Sequence, residues 1–292
     1  MVCIHGGSYS AQYFDAHPHY SIRPHAEALA LPVVAINRTG YQGTSSLPAA
    51  KQHGTDTHLQ NEARWIHSKV LPALWREYGR ASGATCVVLL CHSLGSMVGI
   101  MIAALHGRDD RRAKEYPLAG LIVSGMGTHL TPVPKFERIS GPHRNPDGKV
   151  LSTIWPMGVK NEVMLRVNEG LTPPEVLEIH LTLNQPSFIA EAIDGGRLWP
   201  HYWRDMAKAV RVPVMHGIGD ADCMYEATPE RISGFALAFE KAPRREGCLV
   251  TNAGHCLELS WYSAAWYVKC LGFAMHCAVE QAFQRPRGDS RL

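Results

Sequence analysis

The chain has 292 residues, 46% hydrophobic and 19% charged, with a net charge of +3 from 29 basic and 26 acidic side chains. That length suits one large α/β domain rather than two independent cores, and that balance excludes a disordered chain. No basic surplus of the kind that binds nucleic acid is present, and Arg285, Arg287 and Arg291 read as a solvated tail.

Met1-Val2-Cys3-Ile4-His5-Gly6 carries neither a basic leader region nor a long apolar run, so no signal peptide is read there. The same residues read as a strand that ends in the glycine-rich turn Gly6-Gly7-Ser8-Tyr9. Missing Cβ atoms at such a turn let backbone N–H groups face a cavity, although a plain strand-ending turn has the same composition. Residues 25–31 read as the end of a helix, and 32–37 as an apolar strand typical of a parallel sheet. A glycine- and hydroxyl-rich loop follows over 38–45. Leu59, Ala63, Ile66, Val70 and Leu74 then recur at helical spacing within 55–78, and Gly79 closes that helix.

The next stretch, Val87-Val88-Leu89-Leu90-Cys91-His92-Ser93-Leu94-Gly95, carries the strongest local signal in the chain. A β-branched and aliphatic run leads through a tight turn into a helix over 94–106, with Ser93 at the apex. The pattern is that of G-x-S-x-G, in which small flanking residues let strand and helix backbones pass closely and the serine is held strained and exposed. Cys91 stands where the first glycine would be. The plainer reading of Ser93 is an ordinary helix N-cap. His92 reads as packing.

Residues 108–115 read as a charged surface loop and 118–124 as a buried strand. From 126 to 210 the strand–helix alternation breaks into a proline- and glycine-rich loop, then short helical pieces at 161–168, 174–183 and 188–193. Alternation resumes with a strand at 212–217, a helix at 229–240, a strand at 248–251 and a last helix within 261–283. Lys269, His276 and Glu280 interrupt that last segment, which reads as a buried amphipathic helix rather than a membrane span. Such alternation predicts the α/β class, a mostly parallel sheet covered by helices on both faces. Eight cysteines without a C-x-x-C pair point to reduced thiols and a cytoplasmic protein. His17 and His19 lack carboxylates or cysteines at ligand spacing, so no metal site is expected.

With these motifs in this order the chain resembles the α/β-hydrolase family over nearly its whole length. His5-Gly6-Gly7 is similar to the family's oxyanion turn. Residues 37–45 resemble its D-x-x-G-x-G-x-S loop, with Asn37 in place of the aspartate. Residues 91–95 resemble its nucleophile elbow. His216-Gly217-Ile218-Gly219-Asp220 matches the position of its acid, and Asn252-Ala253-Gly254-His255 its terminal G-H. The resemblance implies core segments at 1–125 and 211–292, with 126–210 as a lid inserted between them. It also implies that two strands usually preceding the oxyanion strand are missing from this sequence.

Serine needs a neighbouring base to become a nucleophile, and imidazole titrates near the working pH. The expected constellation is Ser93 as nucleophile, His255 as base and Asp220 as the acid that orients it, with Asp222 the runner-up. Backbone N–H groups of Gly7 and Leu94 would form the oxyanion hole. Trp155, Trp199 and Trp203 are the candidate substrate-binding residues between sheet and lid, and could equally glue the lid to the core. The function so implied is cofactor-independent hydrolysis of an ester or thioester of a small apolar molecule through an acyl-enzyme. Tailoring enzymes of natural-product pathways share this layout. A lyase or isomerase on the same fold, or a small-molecule binding protein with a vestigial triad, remains as an alternative. The expected partner is that small molecule, with no nucleic acid and no membrane span, and homodimerisation is left open.

Overall fold

A computed structural model describes residues 1–47, 56–108, 115–131, 143–144 and 150–284. The arginine tail at 285–291, most of the charged loop at 108–115 and parts of 126–210 lie outside these residues.

Six parallel strands form the central sheet: β1 (Val2–Ile4), β2 (Val34–Ile36), β3 (Val87–His92), β4 (Leu118–Ser124), β5 (Val214–Gly219) and β6 (Arg245–Val250). Their spatial order is β6-β5-β4-β3-β1-β2. β3 and β4 are buried along their whole length, as their near-continuous aliphatic sequences require of strands covered on both faces. β2 is one of the two edge strands, and Ala35 at its middle is exposed. The strand read at 32–37 is therefore apolar without being fully buried.

The helices are α1 (Arg23–Ala28), α2 (His58–Trp65), α3 (Leu94–Arg108), α4 (Met157–Lys160), α5 (Pro174–His180), α6 (Ile189–Ile193), α7 (Trp199–Ala207), α8 (Pro229–Leu237) and α9 (Ser263–Gln284). α2 starts at a capping box, in which Thr57 accepts from the backbone of Gln60 and Gln60 reaches back to Thr57. Two wider π-type segments, with an α-helical turn at Leu71–Leu74 between them, carry it on to Gly79.

Alternation along the strands divides the core. Val2, Ile4, Leu89, Cys91, Leu121 and Val123 face α3, α7 and α8. Cys3, Val88, Leu90 and Ile122 face α9 and residues 163–183. The segment between β4 and β5 thus packs one part against each side of the sheet. α9 buries Trp266, Tyr267, Cys270, Leu271 and Phe273, but its outer face is also apolar, with Val268, Met275, Val279 and Phe283 exposed. Among the described residues no helix is long and apolar enough to cross a membrane.

Candidate active site

β3 delivers Ser93 to the head of α3 in the left-handed region, at φ 52°. A non-glycine residue is held there only when its surroundings over-determine it. The Ser93 N–H donates to the Ser124 carbonyl, and the Ser96 hydroxyl donates to the carbonyls of Cys91 and Ser124. A Cβ on Gly95 would overlap the carbonyls of Ile4 and His5, so helix and strand backbones can pass only with glycine there. Cys91 is accommodated through a second glycine: its Sγ occupies the space where a side chain on Gly99 would stand.

The loop after β6 brings His255 to the serine. Its Nε2 lies 2.9 Å from the Ser93 hydroxyl and its Nδ1 2.8 Å from Asp222 Oδ2. The carboxylate accepts only, so Nδ1 carries the proton and Nε2 is free to accept from the hydroxyl. The other Asp222 oxygen accepts from the Met224 and Tyr225 N–H groups at 2.7 and 3.2 Å. Asp222 and His255 side chains are completely buried, and Ser93 is 9% exposed.

Asp220, expected to orient His255, does not reach it. β5 continues to Gly219, two residues past the end read from the sequence, which leaves Asp220 exposed on the rim. Its Oδ1 accepts from the Asn252 N–H at 2.7 Å. The chain then turns back, with the Asp222 N–H donating to the Gly219 carbonyl, and this reversal aims Asp222 inward.

Gly7 and Leu94 are brought together: a Cβ on Gly7 would stand 2.7 Å from Leu94 Cδ1, and one on Gly6 2.8 Å from Ser93 Cβ. The turn is anchored from below. His5 Nδ1–H donates to the Gly6 carbonyl at 2.7 Å, while its Nε2 accepts the Arg38 N–H at 3.0 Å. Burial and the Arg38 charge lower the pKa of His5 to about 3, so the ring is neutral. Asn37, at the position of the family's aspartate, accepts from the Ala11 N–H at 2.7 Å.

Three features surround the site, of which the sequence marks only His92, as packing. Arg38 is 1% exposed and donates to Glu62 and to Glu191, each at 2.7 Å from Nη2, while Tyr41 also donates to Glu191. Charged residues on amphipathic helices ordinarily read as solvated, so no local pattern marks Glu62 or Glu191. Second, His92 lies beside His255, rings 5.0 Å apart, and stacks on Tyr13 at 4.6 Å, and burial holds its pKa far below the ordinary value. Its approach to Glu258 at 3.5 Å is therefore that of a neutral ring beside a carboxylate, which itself accepts from Tyr13 and Trp266. The third is Lys160, a fully buried lysine.

The three tryptophans do not converge. Trp203 stacks on Phe235 of α8 at 5.5 Å, and Trp199 meets Tyr202 edge-on at 5.4 Å. Trp155 packs with the cluster on the opposite side of the sheet. Trp199 and Trp203 do border a crevice of about 10 Å³ shared with Gly127, Gly195 and Tyr225, and the Tyr225 ring lies 6.2 Å from that of His255. A Cβ on Gly195 would touch Leu94, so this part of the insertion lies directly against the elbow. Among the described residues no three histidines, cysteines or carboxylates could hold a metal ion; His17 and His19 pair with each other, rings 5.2 Å apart.

The model of the alpha/beta hydrolase family matches residues 1–268, and the chain belongs to that family. Among solved structures it is similar to a monoacylglycerol lipase from Paleococcus ferrophilus, at 17% identity over 94% of this chain and 93% of that one, with a TM-score of 0.58. A thermophilic esterase from Thermogutta terrifontis is 16% identical over 95% and 89% of the two chains, TM-score 0.58. The thioesterase domain from the curacin biosynthetic pathway is 15% identical over 92% and 90%, TM-score 0.53. At such identities these likenesses define the fold alone. No curated protein matches the chain.

Proposed function

We propose that this protein is a serine hydrolase that cleaves a carboxylic ester or thioester of a small apolar molecule through an acyl-enzyme. The observation that carries the reading is the buried relay Ser93–His255–Asp222, closed at 2.9 and 2.8 Å around a serine in a strained backbone conformation. The lipase, esterase and thioesterase neighbours support the same class of chemistry.

In this reading Ser93 Oγ attacks the acyl carbon and its proton passes to His255 Nε2. The carbonyl oxygen becomes an oxyanion, held by the N–H groups of Gly7 and Leu94. A single such donor is worth about 3 kcal/mol of transition-state stabilisation. Collapse expels the alcohol or thiol, which takes the proton from His255. Water then attacks the acyl-enzyme, gives its proton to the same nitrogen and releases the acid as Ser93 regains its hydrogen. Asp222 fixes the Nδ1–H tautomer and stabilises the imidazolium. Asp222, not Asp220, holds this role.

Residues 126–210 act as the lid. Ser93 is nearly covered, and Glu191 and Gly195 of this segment approach Gly7 and Leu94. Access to Ser93 then requires the part of the lid carrying Gly195, Trp199 and Trp203 to shift, widening the crevice beside Tyr225.

Mass spectrometry after exposure to a fluorophosphonate tests the assignment. A single adduct on Ser93, together with turnover of a p-nitrophenyl ester that Ser93→Ala abolishes, is expected. Unlabelled Ser93 in folded protein, or wild-type turnover by Ser93→Ala, would refute it.

A further inference from the structure

Lys160 lies at the end of α4, in the segment between β4 and β5, and its side chain is shielded from solvent. Its Nζ donates to the Ser8 carbonyl at 2.7 Å and to Asn184 Oδ1 at 3.1 Å, and stands 3.8 Å from the centre of the Tyr9 ring. Those partners are a carbonyl, an amide and a ring face, none of them a carboxylate. The titratable groups facing it are Tyr9, His180 on α5 and Cys256 next to His255, with Glu258 one step further, against Tyr13. These form a chain of their own: the Cys256 thiol meets Tyr9 Oη at 3.4 Å, the Tyr9 hydroxyl donates to His180 Nε2 at 2.8 Å, and His180 Nδ1–H donates to Asn161 at 2.6 Å. Burial and the Lys160 charge lower the pKa of His180 to about 3, so it is neutral, and burial lowers that of Lys160 to about 7.

Ser8 directly follows the oxyanion glycine and is itself in the left-handed region, at φ 59°. Its carbonyl accepts a second bond from the Gln185 N–H at 2.9 Å, and its own N–H donates to the Tyr41 hydroxyl at 3.3 Å. Both donors to that carbonyl, Lys160 and Gln185, come from the segment inserted between β4 and β5. A cation buried without a counter-charge is costly, and folding places it where a cation strengthens a bond to a carbonyl in a strained turn.

We propose that Lys160 is a positioning residue: by gripping the Ser8 carbonyl it sets the Gly7–Ser8 turn, so that the oxyanion site is correctly shaped only while the insertion is docked. The inference deepens the hydrolase reading and rests on it for its kinetic consequence. Its structural consequence, the conformation of the Gly7–Ser8 turn, is independent of catalysis.

Three readouts on wild type, Lys160→Met and Lys160→Arg test it. The amide resonances of Gly7 and Ser8 are expected to move in Lys160→Met and to return toward the wild-type position in Lys160→Arg. In ester turnover Lys160→Met should lose about tenfold to a hundredfold in kcat, short of removing an oxyanion donor outright, with KM changed less than about twofold. Lys160→Arg should recover most of that loss. Wild-type activity should fall as pH rises through the lysine's titration near 7, and Lys160→Arg, which stays charged, should keep its activity there. A Gly7 resonance unmoved in Lys160→Met overturns the proposal, as does a lowered melting temperature with kcat and pH profile unchanged. If Lys160→Met does not fold, the pH profiles of wild type and Lys160→Arg decide, and identical profiles overturn it. Failure of Ser93 to react with a fluorophosphonate would sink the hydrolase reading instead, and the Gly7 resonance would still decide the role of Lys160.

Discussion

At the scale of single residues, the site depends on which of two aspartates, two positions apart, points inward. Asp222 spends one oxygen on His255 and the other on two backbone N–H groups, an arrangement that fixes the carboxylate in place. Asp222→Asn presents an amide to the imidazole and favours the wrong tautomer; in a serine protease that exchange costs about 10⁴ in turnover. Asp220→Asn keeps an oxygen for the Asn252 N–H on an exposed rim and should stay within about twofold of wild type, as surface substitutions do. Comparison of kcat for the two variants checks this, and an active Asp222→Asn would contradict it. The elbow offers a second test. Gly99→Ala drives a methyl into Cys91 Sγ and should cost about 1–3 kcal/mol by overpacking. Cys91→Gly in the same chain should restore much of it, which a double-mutant cycle in urea would measure. Strict additivity of the two would show that the contact carries no coupling.

At the scale of elements, the insertion is tied to the core by buried charge as well as by apolar contact. Arg38, on the loop after β2, donates to Glu62 on α2 and to Glu191 on α6, partners 24 and 153 residues away in the chain. Leu59 at the start of α2 donates its N–H to Asp194 at 2.9 Å, which also receives the Tyr202 hydroxyl. Arg38→Met leaves two carboxylates buried without their cation and should destabilise the protein by about 3–5 kcal/mol. Because Glu191 is the partner on the segment between β4 and β5, proteolysis of that variant should begin within 157–207. Adding Glu62→Gln and Glu191→Gln should recover part of the stability. Cleavage confined to the loops of the sheet would show that the Arg38 cluster does not hold the insertion down.

At the scale of the whole molecule, burial holds four of the six buried histidines among the described residues in the neutral form. Burial lowers His5 and His180 to about 3, His216 to about 4 and His92 far below its ordinary value. Unfolded, each would titrate near 6.5. A depressed pKa gives stability that is complete above 6.5 and is lost as pH falls toward the folded-state value. Near pH 5 each histidine then removes about 1.4 kcal/mol per pH unit. Urea unfolding at pH 7 and pH 5 should therefore show a marked fall in stability, smaller by about one proton's worth in His180→Gln. Equal stability at the two pH values would contradict these neutral histidines.

Local sequence was enough for the strand–elbow–helix unit, since aliphatic runs, a small-residue turn and helical periodicity are short-range constraints. It put Ser93 and His255 in the turns where the structure has them, and it marked the break between β4 and β5. It could not tell which aspartate meets His255, because that rests on where β5 ends, and the strand is prolonged by pairing with β6 up to Gly219 and Val250. It left the tryptophans open between pocket and core, because an aromatic ring suits either, and Trp203 stacks on Phe235 where α7 packs against α8. It gave no sign of Arg38 with Glu191 or of Lys160 with Ser8. Those pairs join residues more than a hundred and fifty positions apart, and a buried charge is tolerated only where tertiary structure supplies its partners.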